Sequence, residues 1–164
     1  MSVDTGVRRP QHPNRRPTSG ELAVWRMFLR AYAQLTRQLE ADLIAEHALS
    51  LASYDLLVTL VEAPEHRLRM TELAEQVFLS RSGLSRHVDR LAREGLVTRE
   101  ACLDDGRGTF AVLTRRGYER LRDAAQTHLR GIAAYATGGL SDEELRLLAA
   151  ILGKLVISDA PPAR

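Results

Sequence analysis

Between Cys102 and Phe110 the chain reads CLDDGRGTF, packing two carboxylates, a guanidinium and two glycines into residues 104–108. Groups of this kind serve three chemistries. A calcium loop needs oxygen ligands at alternating positions with a distal glutamate, yet here only Asp104 and Asp105 are present and a cation follows them. A phosphate-cradling loop needs a longer glycine pattern between a strand and a helix. This stretch instead has strand-forming residues on both sides, LVTREACL before it and TFAVL after it. The third use is a hairpin tip, a wing that touches a polyanion. Arg107 at such a tip suits a DNA minor groove, where narrow A·T-rich stretches concentrate negative potential. Asp105, two residues earlier, suits an orienting role, because a carboxylate accepts a bidentate bond and holds the guanidinium in one geometry.

A second constellation precedes the first. In SRSGLSRHVDRLAREGL, residues 80–96, Leu84, Val88 and Leu91 recur at spacings of four and three and mark the buried line of a helix capped by Ser80. The opposite face then carries Arg81, Ser82, Ser85, Arg86 and Asp89, with Arg90 and Arg93 toward its flank. An arginine fork matches guanine O6 and N7 in the major groove, and serine serves a base edge or a phosphate. Gly83 costs about 1 kcal/mol relative to alanine inside a helix, which implies that something approaches the backbone there.

Chemistry at these positions requires elements that present them. Leu22, Trp25, Leu29, Tyr32, Leu39 and Leu43 make a wide apolar stripe on a long helix from Glu21 to about His47. A second helix, capped by Ser53, stops at Pro64. After an HRLR connector, MTELAEQVFLS and the arginine-bearing helix form a helix-turn-helix. A β-hairpin around DDGRG follows directly. Thr114 caps another long helix, with Leu121, Ala124, Ala125, Leu129, Ile132 and Ala133 turned inward. The last helix opens on a capping box, Ser141 to Glu144, and carries a stripe of Leu145, Leu148, Ala149, Leu152 and Val156. The fold class is mainly α with a small β-hairpin. The flanking helices carry more apolar surface than one small lobe needs, which points to a homodimer.

Composition narrows the rest. A chain of 164 residues suits one domain. No apolar run approaches the roughly 20 residues of a spanning helix, and residues 1–20 lack a secretory apolar stretch, so no membrane role and a cytoplasmic location are expected. Cys102 is the only cysteine, which excludes an internal disulfide framework and cysteine-based zinc clusters; its strand-like setting reads as a small buried or half-buried residue. All but one of the 23 basic residues are arginine. Residues 1–19 form a flexible basic arm with Arg8, Arg9, Arg15 and Arg16 against Asp4. The five histidines form no close metal-ligand pair and no triad stands out. No catalytic residues, no metal and no cofactor are expected; the chain does not read as an enzyme.

DGRGTFAVLT, residues 105–114, with Gly117 beyond it, resembles the Asp-x-Arg…Leu-Thr signature of the MarR (multiple antibiotic resistance regulator) family of winged helix-turn-helix transcription regulators. LSRSGLSRHVDRLAREGLVTRE is similar to that family's recognition helix running into the wing. The resemblance covers residues 21–157. It implies a homodimeric repressor on a pseudo-palindromic operator in double-stranded DNA. By matching position, Arg86 and Ser82 meet base edges, Arg107 meets the minor groove with Asp105 steadying it, and Thr71, Arg81, Ser85 and Arg90 neighbour phosphates or bases. It also implies release by a small, often aromatic or phenolic effector where the dimer helices meet the DNA-binding lobe; Trp25, Tyr54, Asp55 and His128 suit such a pocket by chemistry. The implied organisation is an arm at 1–19, a winged-helix domain at 20–158, and a tail at 159–164. Within the domain the DNA-binding lobe spans about 53–113, between dimerisation helices at about 21–47 and 114–157. Two alternatives compete: a winged-helix protein-interaction module without DNA binding, and an oxidant sensor acting through Cys102. Oxidant-sensing members carry their cysteine near the start of the first helix, where this chain has none.

Overall fold

A computed structural model describes residues 15–77, 80–101 and 108–155. The expectations placed on residues 1–14 of the basic arm, on Cys102, Asp104, Asp105 and Arg107, and on Val156 and the tail lie outside these residues; the end of the arm, residues 15–19, is described, and there Arg15 pairs with Glu21. Helix α1 runs from Ser19 to His47, and its start is closed by a reciprocal capping box. Thr18 accepts from the Glu21 amide at 3.2 Å, and the Glu21 carboxylate accepts from the Thr18 amide at 2.7 Å. Ala48 ends it in the left-handed region, φ 50°, so that the chain turns at once into α2, Leu51–Glu62. The cap of α2 is Ser50 rather than the expected Ser53: the Ser53 amide donates to Ser50 Oγ at 3.2 Å, and Ser53 itself is buried one turn into the helix. Ala63 is extended before Pro64, as the proline ring requires, and α2 stops there.

The HRLR connector is a strand. Arg67–Arg69 (β1) follows a single 3₁₀ turn and leads straight into α3, Met70–Gln76. After α4, Arg81–Arg93, come β2, Val97–Ala101, and β3, Thr109–Leu113. The sheet is antiparallel in the order β1-β3-β2, with Leu68 opposite Ala111 and Val97 opposite Leu113. A two-stranded hairpin thus becomes a three-stranded sheet. Its inner face joins Leu56, Leu57 and Leu60 of α2, Leu73 of α3, and Leu84, Val88 and Leu91 of α4 in one core.

Thr114 binds this unit to α5, Arg115–Gly131. Its hydroxyl donates toward the carbonyls of Gly95 and Leu96 at 2.8 and 3.0 Å, and accepts from the Gly117 amide at 3.0 Å. Gly117 is needed here, because a Cβ on it would stand 2.1 Å from the Leu96 carbonyl oxygen. Helix α5 then packs on α1. Glu46 accepts from buried Thr127 at 2.8 Å and from Arg130 at 2.6 Å, while the Thr127 hydroxyl also meets the His47 ring at 2.9 Å. A π-helical segment, Ile132–Thr137, turns Tyr135 so that it donates to Asp42 at 2.9 Å. Helix α6, Asp142–Leu155, opens on the expected capping box of Ser141 and Glu144.

Two inward expectations fail within the single chain. Leu129 is 62% exposed and Ala133 is exposed, because the sides of α5 that meet α1 and α2 bury other residues, Leu121, Ala124 and Thr127 among them. The α6 stripe is open too, with Leu148, Ala149 and Leu152 exposed and Leu145 half-buried. Among the described residues no single helix is long and apolar enough to cross a membrane.

Candidate nucleic-acid interface

Helix α4 begins where Ser80 Oγ accepts the Gly83 amide at 3.1 Å. The close approach inferred at Gly83 is this internal one, since a Cβ there would stand 3.1 Å from the same hydroxyl. Leu84, Val88 and Leu91 are fully buried, as the spacing predicts. That anchoring turns the other face outward. Ser82 and Arg86 are exposed in the first half of the helix, and Arg86 makes no hydrogen bond or ion pair among the described residues. Arg90 is exposed but engaged, pairing with Glu94 at 3.0 Å. Thr71 is exposed at the second position of α3. The backbone of Arg81 lies in the first turn of α4.

Ser85 is half-buried, and its partner is a residue the sequence reading passed over. Arg99 of β2 donates to Ser85 Oγ at 3.1 Å and to the Ser85 carbonyl at 3.3 Å, and pairs with Asp89 at 2.8 Å. A signal for it existed. Arg99 lies two residues after buried Val97, so strand alternation puts it on the core face of the sheet, under α4. On the outer face Arg67 lies 4.1 Å over the Phe110 ring and pairs with Glu100 at 3.8 Å. Both arginines brace the strands on which the wing is built.

The four pocket candidates divide. The Tyr54 and His128 rings meet with centroids 4.4 Å apart, joining α2 to α5, and Asp55 interacts electrostatically with His128. Burial pushes His128 below the usual imidazole range, with Asp55 opposing, and leaves its Nδ1 without a hydrogen-bond partner among the described residues. Asp55 reaches solvent, yet partial desolvation raises its carboxyl above the usual range, with His128 opposing. Burial, then Asp55, raises the Tyr54 phenol. Trp25 does not join them; it stacks on Phe28 at 5.9 Å and is 55% exposed. Among the described residues no group of three His, Cys, Asp or Glu side chains could hold a metal ion.

The winged helix-turn-helix arrangement has known counterparts. A model of the MarR family matches residues 48–108. A MarR family regulator of Streptomyces coelicolor, Sco3205, solved in complex with DNA, is 37% identical. The superposition covers 92% of this chain and 94% of that one, with a TM-score of 0.80. The chain belongs to the MarR family. A second Streptomyces coelicolor member, AbsC, is also 37% identical, covering 87% of this chain and 95% of the other at a TM-score of 0.77. The transcriptional repressor YetL of Bacillus subtilis is 33% identical over 111 residues, 68% of this chain and 66% of YetL. This MarR-family chain is a winged-helix transcription regulator.

Proposed function

We propose that two copies of this MarR-family chain form a homodimeric repressor that binds a pseudo-palindromic operator in the cytoplasm. One observation carries the DNA reading. Arg86 stands exposed, with no partner among the described residues, on the outward face of a helix whose other face is locked into the core. In this reading Arg86 and Ser82 read base edges, Thr71, Arg81, Ser85 and Arg90 lie along the phosphates, and Arg107, steadied by Asp105, enters the minor groove. The DNA-binding lobe spans about 53–113, and the helices at about 21–47 and 114–157 dimerise.

The dimer reading is supported by apolar surface left open in one chain. Val24, Met27 and Tyr32 of α1 and Leu147, Ile151 and Leu155 of α6 are each more than half exposed. Between these helices Phe28, Leu35, Tyr135, Leu148 and Leu152 line an open groove of about 740 Å³. A second copy covers such a surface by two-fold symmetry. Tyr54, Asp55 and His128 join α2 to α5 where the two parts meet, and a small aromatic acid binding there releases the DNA. It does so by changing the separation of two recognition helices that must match sites about 34 Å apart.

The test is selection of duplexes from a random library by the full chain, then binding of the winner at two salt concentrations. A palindromic consensus and a steep salt slope, about 0.9 in log K per phosphate neutralised, are expected. No selected sequence, or binding indifferent to salt, would favour a protein-interaction module instead.

A further inference from the structure

We propose that Arg99, on the wing strand, is a positioning residue for DNA recognition: it locks the recognition helix to the wing and turns Ser85 into an oriented hydrogen-bond donor. The inference rests on the DNA-binding reading and adds a residue to it. Arg99 stands on β2 opposite Ala111, whose small side chain leaves the guanidinium room to lie along the sheet. From there it meets α4 at two successive turns, Asp89 at 2.8 Å and Ser85 at 3.3 Å through the carbonyl and 3.1 Å through the hydroxyl.

Three consequences follow from these contacts. Arg99 neutralises Asp89, the acid on the outward half of α4, which would otherwise repel phosphate. Its bond to Ser85 Oγ occupies a lone pair of that hydroxyl. The Ser85 proton is then turned away from the guanidinium and left to donate to a phosphate oxygen. The third contact, to the Ser85 carbonyl, holds the backbone one residue before Arg86. The pair is less exposed at Arg99, 32%, than at Asp89, 56%, so the arginine is the better shielded member of the bridge.

The experiment compares the wild-type chain with Arg99→Gln, Asp89→Asn and the exchanged pair Asp89→Arg/Arg99→Asp, on a duplex the wild type selects from a random library. Arg99→Gln is expected to weaken binding roughly ten-fold, the scale of one misplaced base contact, with the salt slope unchanged, because Arg99 meets no phosphate. Asp89→Asn is expected to weaken binding as well, although it removes a negative charge, and the exchanged pair is expected to recover part of the loss. A slope lower by about 1 in Arg99→Gln would make the residue a phosphate contact and overturn the assignment. Hydrogen exchange on the free protein decides the same point without DNA. Amides of residues 85–93 should exchange faster in Arg99→Gln while those of α2 stay protected; unchanged exchange in α4 overturns the proposal. A wild type that selects no duplex while α4 loosens in the variant would discard the DNA reading and keep the bridge.

Discussion

Helices α4 and α6 are nearly equal in length and both amphipathic, yet only one has found its core. On α4 the apolar line of Leu84, Val88 and Leu91 is at most 1% exposed. On α6 no residue is buried, and Leu147, Ile151 and Leu155 stand 57, 55 and 61% exposed. Helix α4 packs against the sheet, α2 and α3 of its own chain, all contributed by residues 51–113. Helix α6 faces a groove that it shares with the middle of α1 and the π segment. The winged part is therefore complete in one chain. The long helices are half of a structure whose other half is proposed to be a second copy.

The comparison can be broken most severely on the α6 side. Leu147→Asp with Ile151→Asp places two carboxylates where the partner helix is expected to dock. Desolvating them opposes association far more than the loss of two buried side chains alone, about 1.5–3 kcal/mol each. Sedimentation should show a monomer at micromolar concentration, and circular dichroism should retain most of the helix signal. A dimer that survives both changes places the interface elsewhere.

On the winged side the same size of change acts inside the chain. Leu57→Ala, at a site with no exposure, should cost about 2–5 kcal/mol in urea unfolding without altering the subunit affinity of whatever remains folded. Gly117→Ala sharpens the point at the junction. Its methyl meets the Leu96 carbonyl, and a loss of about 1–3 kcal/mol is expected from the forced shift. Arg86→Ala should leave the melting temperature unchanged and remove about 1–3 kcal/mol of DNA binding, blurring sequence preference. A melting shift as large as that of Gly117→Ala would make Arg86 a structural residue.

The smallest effect is at the start of α1. Arg15, then Thr18, hold the Glu21 carboxyl down to about 2 against an ordinary 4.5. A depressed folded-state pKa adds stability above the unfolded value that is lost as pH falls through the folded one. Stability should therefore decline from about pH 4.5 to about pH 2, and Glu21→Gln should flatten that part of the curve. The fully exposed site keeps the change small.

Much of the scaffold was legible because its signals are local. Ser80, Thr114 and the pair Ser141/Glu144 cap helices through atoms three residues away, so spacing alone finds them. Residues 84, 88 and 91 declare a buried line by period. What escaped was non-local. Two of the three residues in β1 are arginines, and its strand character comes from pairing with residues 110–112, more than 40 positions on. Ser53 reads as a cap as readily as Ser50, and only the turn at Ala48 selects between them. Gly83 invited a functional explanation, whereas its neighbour is the cap of its own helix.

At the candidate site the division is the same. Arg86 and Ser82 follow from helical period, because a face opposite three buried leucine and valine side chains must look outward. The sequence by itself determined that face, the winged order of elements and the family, all of which depend on short-range spacing. Only the tertiary structure decided that Arg99 bridges to Ser85 and Asp89, that Tyr54 meets His128 while Trp25 does not, and that α6 lies uncovered. Each of those depends on which distant segments pack side by side, and hydrophobic pattern specifies that an apolar face must be covered without specifying by what.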